Sequence, residues 1–276
     1  MVRDFSSVAY PFAPYWLELE GARMHYVDEG ARDAPPVVMI HGNPTWSFYY
    51  RRLIQALKDS HRVIAPDHVG CGLSDKPQDY PYTLAQHIAN LERLLTSLEL
   101  TDITLVVHDW GGPIGMGYAT RHPETIRRLV LFNTAAFYVD AVPWVLKLAR
   151  SPVIGALLVR GLNAFARGAL RWGTSRPERF TPAVRAGYLA PYDSWRHRVA
   201  IYRFVQDIPL SPEHPSRATL DQIEARLSRL RDHPALILWG ADDFVFTTKD
   251  ILPQWRRHLP QADVHVLENA GHYVVE

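Results

Sequence analysis

Asp109 lies in the stretch LVVHDWGG (residues 105–112), where an apolar run stops at His-Asp-Trp and falls into two glycines. A short continuous apolar run reads as a buried strand. A strand that ends in x-nucleophile-x-Gly and opens a helix makes a strained turn with one side chain exposed at its tip. Small neighbours are needed there. Gly111 and Gly112 supply them on the far side, while Val107 stands where a first glycine is usual. A helix N-terminus favours an anion, so the Asp109 carboxylate reads as a nucleophile. The competing reading is an ordinary N-cap aspartate; the flanking His and Trp, with two glycines behind, weigh against it.

Partners should follow in the order nucleophile, acid, base. LWGADDFVF offers Asp242 and Asp243, and VHVLENAGHYVVE offers His272, each just after a predicted strand. His272 would activate water, and an aspartate would fix its tautomer. A second place for the acid follows Phe132, but it holds the uncharged Asn133, and Asp140 lies farther out. The loop HGNPTWSF (41–48) occupies the position that normally lends a backbone N–H to an oxyanion hole, with the Trp110 N–H as the other. Asn43 adds a side-chain amide and Trp110 an indole N–H, two donors able to hold a departing anion in a dry pocket. A carboxylate nucleophile suits displacement at a saturated carbon and leaves an alkyl ester that water can cleave.

The elements that must position these groups alternate. Strands are expected at Trp16 to Glu20, Ala22 to Asp28, Val37 to Ile40, HRVIAP, ITLVVH, IRRLVLF, ALILWG and VHVL. Helices are expected at FYYRRLIQALK, after the capping box Thr83-Leu84-Ala85-Gln86, from Gly112 to Arg121 and from Thr248 to Leu259. Buried strands alternating with helices imply an α/β fold with a mostly parallel sheet covered on both faces. Between about Phe137 and Leu230 the strand signal vanishes, which implies a helical insertion. Its stretch SPVIGALLVRGLNAFARGAL mixes apolar residues with arginines. That pattern fits cap helices over an apolar cavity with arginines facing water, or a helix lying on a membrane. The short, Gly-broken runs favour the cap.

The 276 residues are 47% apolar and 21% charged with a net charge of +1, which gives no reason to expect nucleic acid or an acidic partner. A lone cysteine, Cys71, excludes an internal disulfide and every Cys-pair motif. The N-terminus lacks the apolar core of a secretory signal, and no run of about 18 apolar residues exists to span a membrane. A cytoplasmic setting is expected. GGPIGMG misses the dinucleotide spacing, no phosphate-binding G-x-x-x-x-G-K-[ST] occurs, and 13 histidines form no H-E-x-x-H. No metal or other cofactor is expected, and the expected partner is a small hydrophobic substrate.

HGNPTWSF, HDWGG, WGADD and AGHYVVE together resemble the haloalkane dehalogenase family of α/β-hydrolases, and the similarity runs along almost the whole chain. The resemblance implies an α/β-hydrolase core at 1–136 and 231–276 with a helical cap at 137–230. It implies Asp109 as nucleophile, His272 as base, Asp243 as acid, and Asn43 with Trp110 as the halide-holding pair. Epoxide hydrolases share H-D-W-G-G but need two cap tyrosines, for which Tyr188, Tyr192 and Tyr202 are candidates. DHVGCGLSDKP, LFNTAAF, RGLNAF and APYDSW with RFVQDIPLSP resemble, more narrowly, the β-lactone decarboxylases of bacterial long-chain olefin biosynthesis. That resemblance implies conversion of a cis-β-lactone to a cis-alkene and carbon dioxide, by a covalent or a concerted path, and association with other enzymes of that pathway. Hydrolysis of haloalkanes is the alternative, and an inactive binding protein is a third. The chain ends at Glu276, four residues past His272, where this fold normally carries a further covering helix. The expectation is a segment of a longer chain, with stability affected more than mechanism.

Overall fold

The computed structural model describes residues 10–140 and 142–276. Eight strands form one sheet: β1 (Tyr15–Leu19), β2 (Ala22–Glu29), β3 (Pro36–Ile40), β4 (Arg62–Pro66), β5 (Ile103–His108), β6 (Ile126–Phe132), β7 (Ala235–Gly240) and β8 (Asp263–Leu267). Their order is β1-β2-β4-β3-β5-β6-β7-β8. The pairs β1–β2 and β2–β4 are antiparallel and all others parallel. β3 is apolar along its whole length, as a strand covered on both faces requires. In β3, Val38 and Ile40 face one core cluster while Val37 and Met39 face the other.

The helices are α1 (Arg51–Leu57), α2 (Leu84–Ser97), α3 (Gly111–Ala119), α4 (Trp144–Ala149), α5 (Ile154–Ala156), α6 (Ala164–Trp172), α7 (Pro182–Leu189), α8 (Val199–Gln206), α9 (Pro215–Arg226) and α10 (Thr248–His258). Thr83 caps α2 by accepting from the Gln86 N–H, but the box is only half made: the Gln86 side chain turns to Tyr80 and Asn90, and the Thr83 N–H donates to the Pro81 carbonyl. FYYRRLIQALK does not form one helix: a 3-10 turn at Ser47–Tyr50 precedes α1. The sharp loop after β3 needs that tighter winding before a regular helix can start.

Among the described residues, 137–230 holds no strand. Its two ends pack against helices that cover the sheet. Phe137 packs on Trp255 and His258 of α10. Leu220 and Ile223 of α9 are buried in one cluster with Ile88 and Leu91 of α2. Helical spacing marks an apolar face but not the layer that face covers; α4 and α6 lie over the cavity, whereas α8 and α9 both bury side chains in the cluster that holds α2. No helix among the described residues is long and apolar enough to cross a membrane.

The chain runs from β3 outward to β4 and then back across β3 to β5. The carboxyl ends of β3 and β5 therefore lie side by side at the point where strand order reverses, the crevice in which open α/β sheets place their sites. Ile40 pairs with Val107, His108 with Phe132, and Phe132 with Leu238. The loops carrying Asn43, Asp109, Asn133 and Asp243 thus leave the sheet as neighbours.

Candidate active site

Asp109 holds a left-handed backbone (φ +50°) between β5 and α3. Such a conformation is costly for a non-glycine residue and persists only where surroundings enforce it. Here the Asp109 carbonyl accepts from the Gly112 N–H at 2.9 Å and from the Thr134 hydroxyl at 2.5 Å, and its N–H donates to the Asn133 carbonyl at 3.1 Å. A Cβ on Gly112 would fall 1.8 Å from Thr134 Oγ1, so the second glycine is a packing requirement. The missing first glycine is compensated elsewhere. Val107 fits because a Cβ at position 115 would lie 2.6 Å from its Cγ1, and Gly115 has none.

The carboxylate is buried and held. Its Oδ1 accepts from the Asn43 N–H at 2.6 Å, and the Trp110 N–H also bonds it. That approach depends on Gly42, where a Cβ would sit 2.1 Å from Asp109 Oδ1. His272 Nε2 lies 3.7 Å from Asp109 Oδ2, and His272 Nδ1 lies 2.8 Å from Asp243 Oδ2. The structure therefore brings Asp109, His272 and Asp243 into one line, and it separates the two candidate acids. Asp242 instead accepts from the Ser175 hydroxyl on the surface.

Electrostatics follow from burial and pairing. Burial raises the Asp109 carboxyl above its ordinary value, against the opposing pull of His272 and the Trp110 and Asn43 N–H groups. Burial alone would lower His272, but the Asp243 charge and hydrogen bond, helped by Asp109, raise it. Burial works against ionised Asp243 too, yet His272 and the N–H groups of Val245 and Phe246 hold it below its ordinary value.

Asn43 and Trp110 both line the cavity beside Asp109. The Asn43 amide nitrogen donates to the Ile201 carbonyl at 3.2 Å, which fixes its orientation and leaves its second hydrogen free. Trp110 packs on Phe204, and no described residue accepts from its indole N–H.

Two contributors were not legible as such in the sequence. Asn133 occupies the alternative acid position, and its amide donates to Asp243 Oδ2 at 2.8 Å while its oxygen accepts from the Gly240 N–H at 2.8 Å. It fastens the ends of β6 and β7 and aims the acid. His108 donates from Nε2 to the His272 carbonyl at 2.9 Å and stacks on Tyr49 with ring centroids 4.4 Å apart. Burial lowers His108 well below its ordinary value, so it is a neutral support. Asn133 directly follows the end of β6 and so had a positional signal. His108 had none.

The three candidate tyrosines, Tyr188, Tyr192 and Tyr202, do not reach the site. Tyr188 bonds Glu276, Tyr192 donates to the Thr45 carbonyl, and Tyr202 donates to the carbonyls of Ser151 and Pro152. None of the three lines the cavity, so none of these hydroxyls is placed there to activate an epoxide.

Above Asp109 opens a cavity of about 780 Å³, roofed by α4, α6 and the turn at Leu158 and Val159. Its walls are almost wholly apolar, and its polar groups gather at the base around Asn43, Asp109, Trp110 and His272. An apolar pocket with a few convergent polar groups is the form of a small-molecule site. The α/β hydrolase fold family matches residues 35–276. This chain belongs to that family. It is 49% identical over 272 residues to the cis-3-alkyl-4-alkyloxetan-2-one decarboxylase of Shewanella oneidensis, covering 96% of this chain and 84% of the relative. To the enzyme of the same name from Xanthomonas campestris it is 45% identical, covering 97% and 92%. Among solved structures, the haloalkane dehalogenase DatA of Agrobacterium tumefaciens C58 superposes with a TM-score of 0.85 at 27% identity, covering 98% of this chain and 92% of that one. The α/β-hydrolase is thus related both to decarboxylases and to dehalogenases.

Proposed function

We propose that this α/β-hydrolase converts a cis-disubstituted β-lactone with long alkyl substituents to a cis-alkene and carbon dioxide. The observation that carries the reading is a carboxylate clamped by N–H donors at the base of a deep apolar cavity. The names of the two decarboxylase relatives support it. Asp109 Oδ2 attacks the ring carbon bonded to the ring oxygen. That C–O bond breaks, and the ring oxygen leaves as part of a new carboxylate, held by the Asn43 amide and the Trp110 indole. The bond to that carboxylate then breaks, its electrons form the C=C bond, and the Asp109 ester departs, restoring the carboxylate and releasing carbon dioxide. Inversion at the attacked carbon followed by anti departure preserves cis geometry. Every atom is accounted for without water, oxidant, metal or cofactor. His272, held by Asp243, keeps Asp109 ionised and oriented.

Hydrolytic dehalogenation is the second reading, favoured by the 3.7 Å gap between His272 Nε2 and Asp109 Oδ2, where a base and the ester oxygen it serves would stand. There halide leaves to Asn43 and Trp110, and His272 activates water against the ester. A cytoplasmic setting and neighbouring enzymes that make and hand over the lactone belong to the first reading.

The test is gas-chromatographic detection of alkene from a long-chain cis-β-lactone with the wild type and with Asp109→Asn. The asparagine tolerates a left-handed backbone and keeps an acceptor for the Asn43 N–H, so the fold survives. Turnover falls by about 10⁴-fold or more, as for loss of a nucleophile. Alkene formed equally by the variant removes the nucleophile assignment. No alkene from folded wild type, with halide released from bromoalkanes, moves the function to dehalogenation.

A further inference from the structure

The cap carries a surface that the proposed reaction does not use. Trp144 at the start of α4 is 72% exposed and Trp172 at the end of α6 is 70% exposed, yet both line the cavity. With Val145, Leu148 and Phe244, also exposed and also cavity-lining, they form an apolar rim around its mouth. The exposed apolar run continues in the next turn of chain at Val153, Ile154 and Leu157. Burial of large apolar side chains is worth too much for monomers to leave such clusters open without a use.

Charge says what covers it. From residue 141 to 177 there is no Asp or Glu, but Lys147, Arg150, Arg160, Arg167, Arg171 and Arg176 are present. Arg150 and Arg160 are committed to carbonyls of the cap itself. Lys147, Arg167 and Arg171 are exposed, and no described residue accepts from their side chains. Each rim tryptophan therefore has free cations beside it on its own helix: Lys147 three residues from Trp144, and Arg171 next to Trp172 with Arg167 one turn before.

We infer that the mouth of the cap docks on an anionic phospholipid bilayer, tryptophans and aliphatic side chains in the interface and Lys147, Arg167 and Arg171 against the headgroups. Tryptophan favours the membrane interface, long cationic side chains reach from an apolar bed to polar groups, and amphipathic surfaces of this make-up lie on membranes without spanning them. The cavity would then open directly toward the acyl chains. The docking stands on the surface alone. That it admits a long-chain substrate from the bilayer rests on the proposed reaction.

The experiment is co-sedimentation of the full chain, without substrate, with vesicles of phosphatidylglycerol and phosphatidylcholine and with vesicles of phosphatidylcholine alone, at low and high salt. Two double variants accompany it, Val153→Asp with Ile154→Asp, and Arg167→Glu with Arg171→Glu. None of these four residues lines the cavity, and thermal melts establish that each variant is folded. Binding to anionic vesicles, weakened by salt and reduced about tenfold or more by either variant, is the expected result. Absence of binding at low salt overturns the inference, as does binding that both folded variants retain in full. A dimer seen by light scattering that either variant dissolves, with vesicle binding at background, assigns the surface to a second copy and also overturns it. Because substrate is absent throughout, failure here leaves the proposed reaction untouched, and failure of alkene formation leaves the docking result untouched.

Discussion

Asn133→Ala removes three hydrogen bonds at the back of the triad: amide to Asp243 Oδ2, amide to the Gly240 carbonyl at 3.2 Å, and the Gly240 N–H to the side-chain oxygen. Asp243 keeps the N–H groups of Val245 and Phe246 and the His272 ring, so it stays ionised and bound. Gly240 N–H loses the acceptor that satisfied it. An unpaired buried N–H costs about 1–3 kcal/mol, and loss of a bond to a carboxylate about 1.5–3 kcal/mol. Some relaxation in this tight corner brings the expected destabilisation to about 2–4 kcal/mol, on the order of 4–16 °C in Tm for a chain of this length. The effect on turnover is smaller because Asn133 acts only through Asp243. A freer Asp243 aims His272 less well, and a loss of about tenfold in kcat/KM corresponds to about 1.4 kcal/mol. Differential scanning calorimetry and initial rates read the two numbers separately. Unchanged Tm with unchanged kcat/KM would refute the assignment of Asn133 as the clamp of the acid. Turnover reduced as far as in Asp109→Asn would show that Asn133 does more than position.

If the dehalogenase route operates, His272→Gln lets an alkyl ester accumulate on Asp109 with a bromoalkane, because attack precedes base-assisted hydrolysis; intact-mass spectrometry shows the adduct, and its absence with bound substrate counts against a covalent path. The pH profile follows from the shifts at the site. Asp109 is raised by burial, so kcat/KM falls on the acid side at a pH above that of an ordinary aspartate, and a profile flat down to the ordinary range would contradict the burial argument. For stability, Asp243 is depressed, so its contribution is present above the unfolded value and lost as pH falls through the folded one. His272 is raised, so its contribution is full below the unfolded value and lost as pH rises through the folded one; urea titrations at both ends of the range measure the two losses. Gly112→Ala forces a methyl onto Thr134 Oγ1 and destabilises by about 1–3 kcal/mol, as overpacking does, with turnover lost as the elbow shifts; an equally stable, fully active variant would show that the elbow is not held by this contact.

Much of the architecture was legible because it rests on local physics. Period-two and continuous apolar runs mark strands whether or not their partners are known, so ITLVVH and IRRLVLF match β5 and β6 residue for residue. The Thr83 N-cap is a contact within four residues and needed no tertiary information. Asp109 was legible for the same reason, since a strained turn writes its steric demand into its immediate neighbours. Only the folded chain decided what depends on distant residues. Residue types left Asp242 and Asp243 open and the family resemblance pointed to Asp243; the folded chain turns that side chain toward a histidine 29 positions on. It gave Asn133 its place behind the acid and His108 its place under His272, through strand register. It set α9 against α2, since an apolar helix face does not name the layer it covers. It let Val107 replace the usual glycine, because the space it needs is provided by Gly115 one turn into α3. Composition and spacing record what each segment requires locally; which requirement is met by which distant segment is set by packing, and packing exists only once the chain has closed on itself.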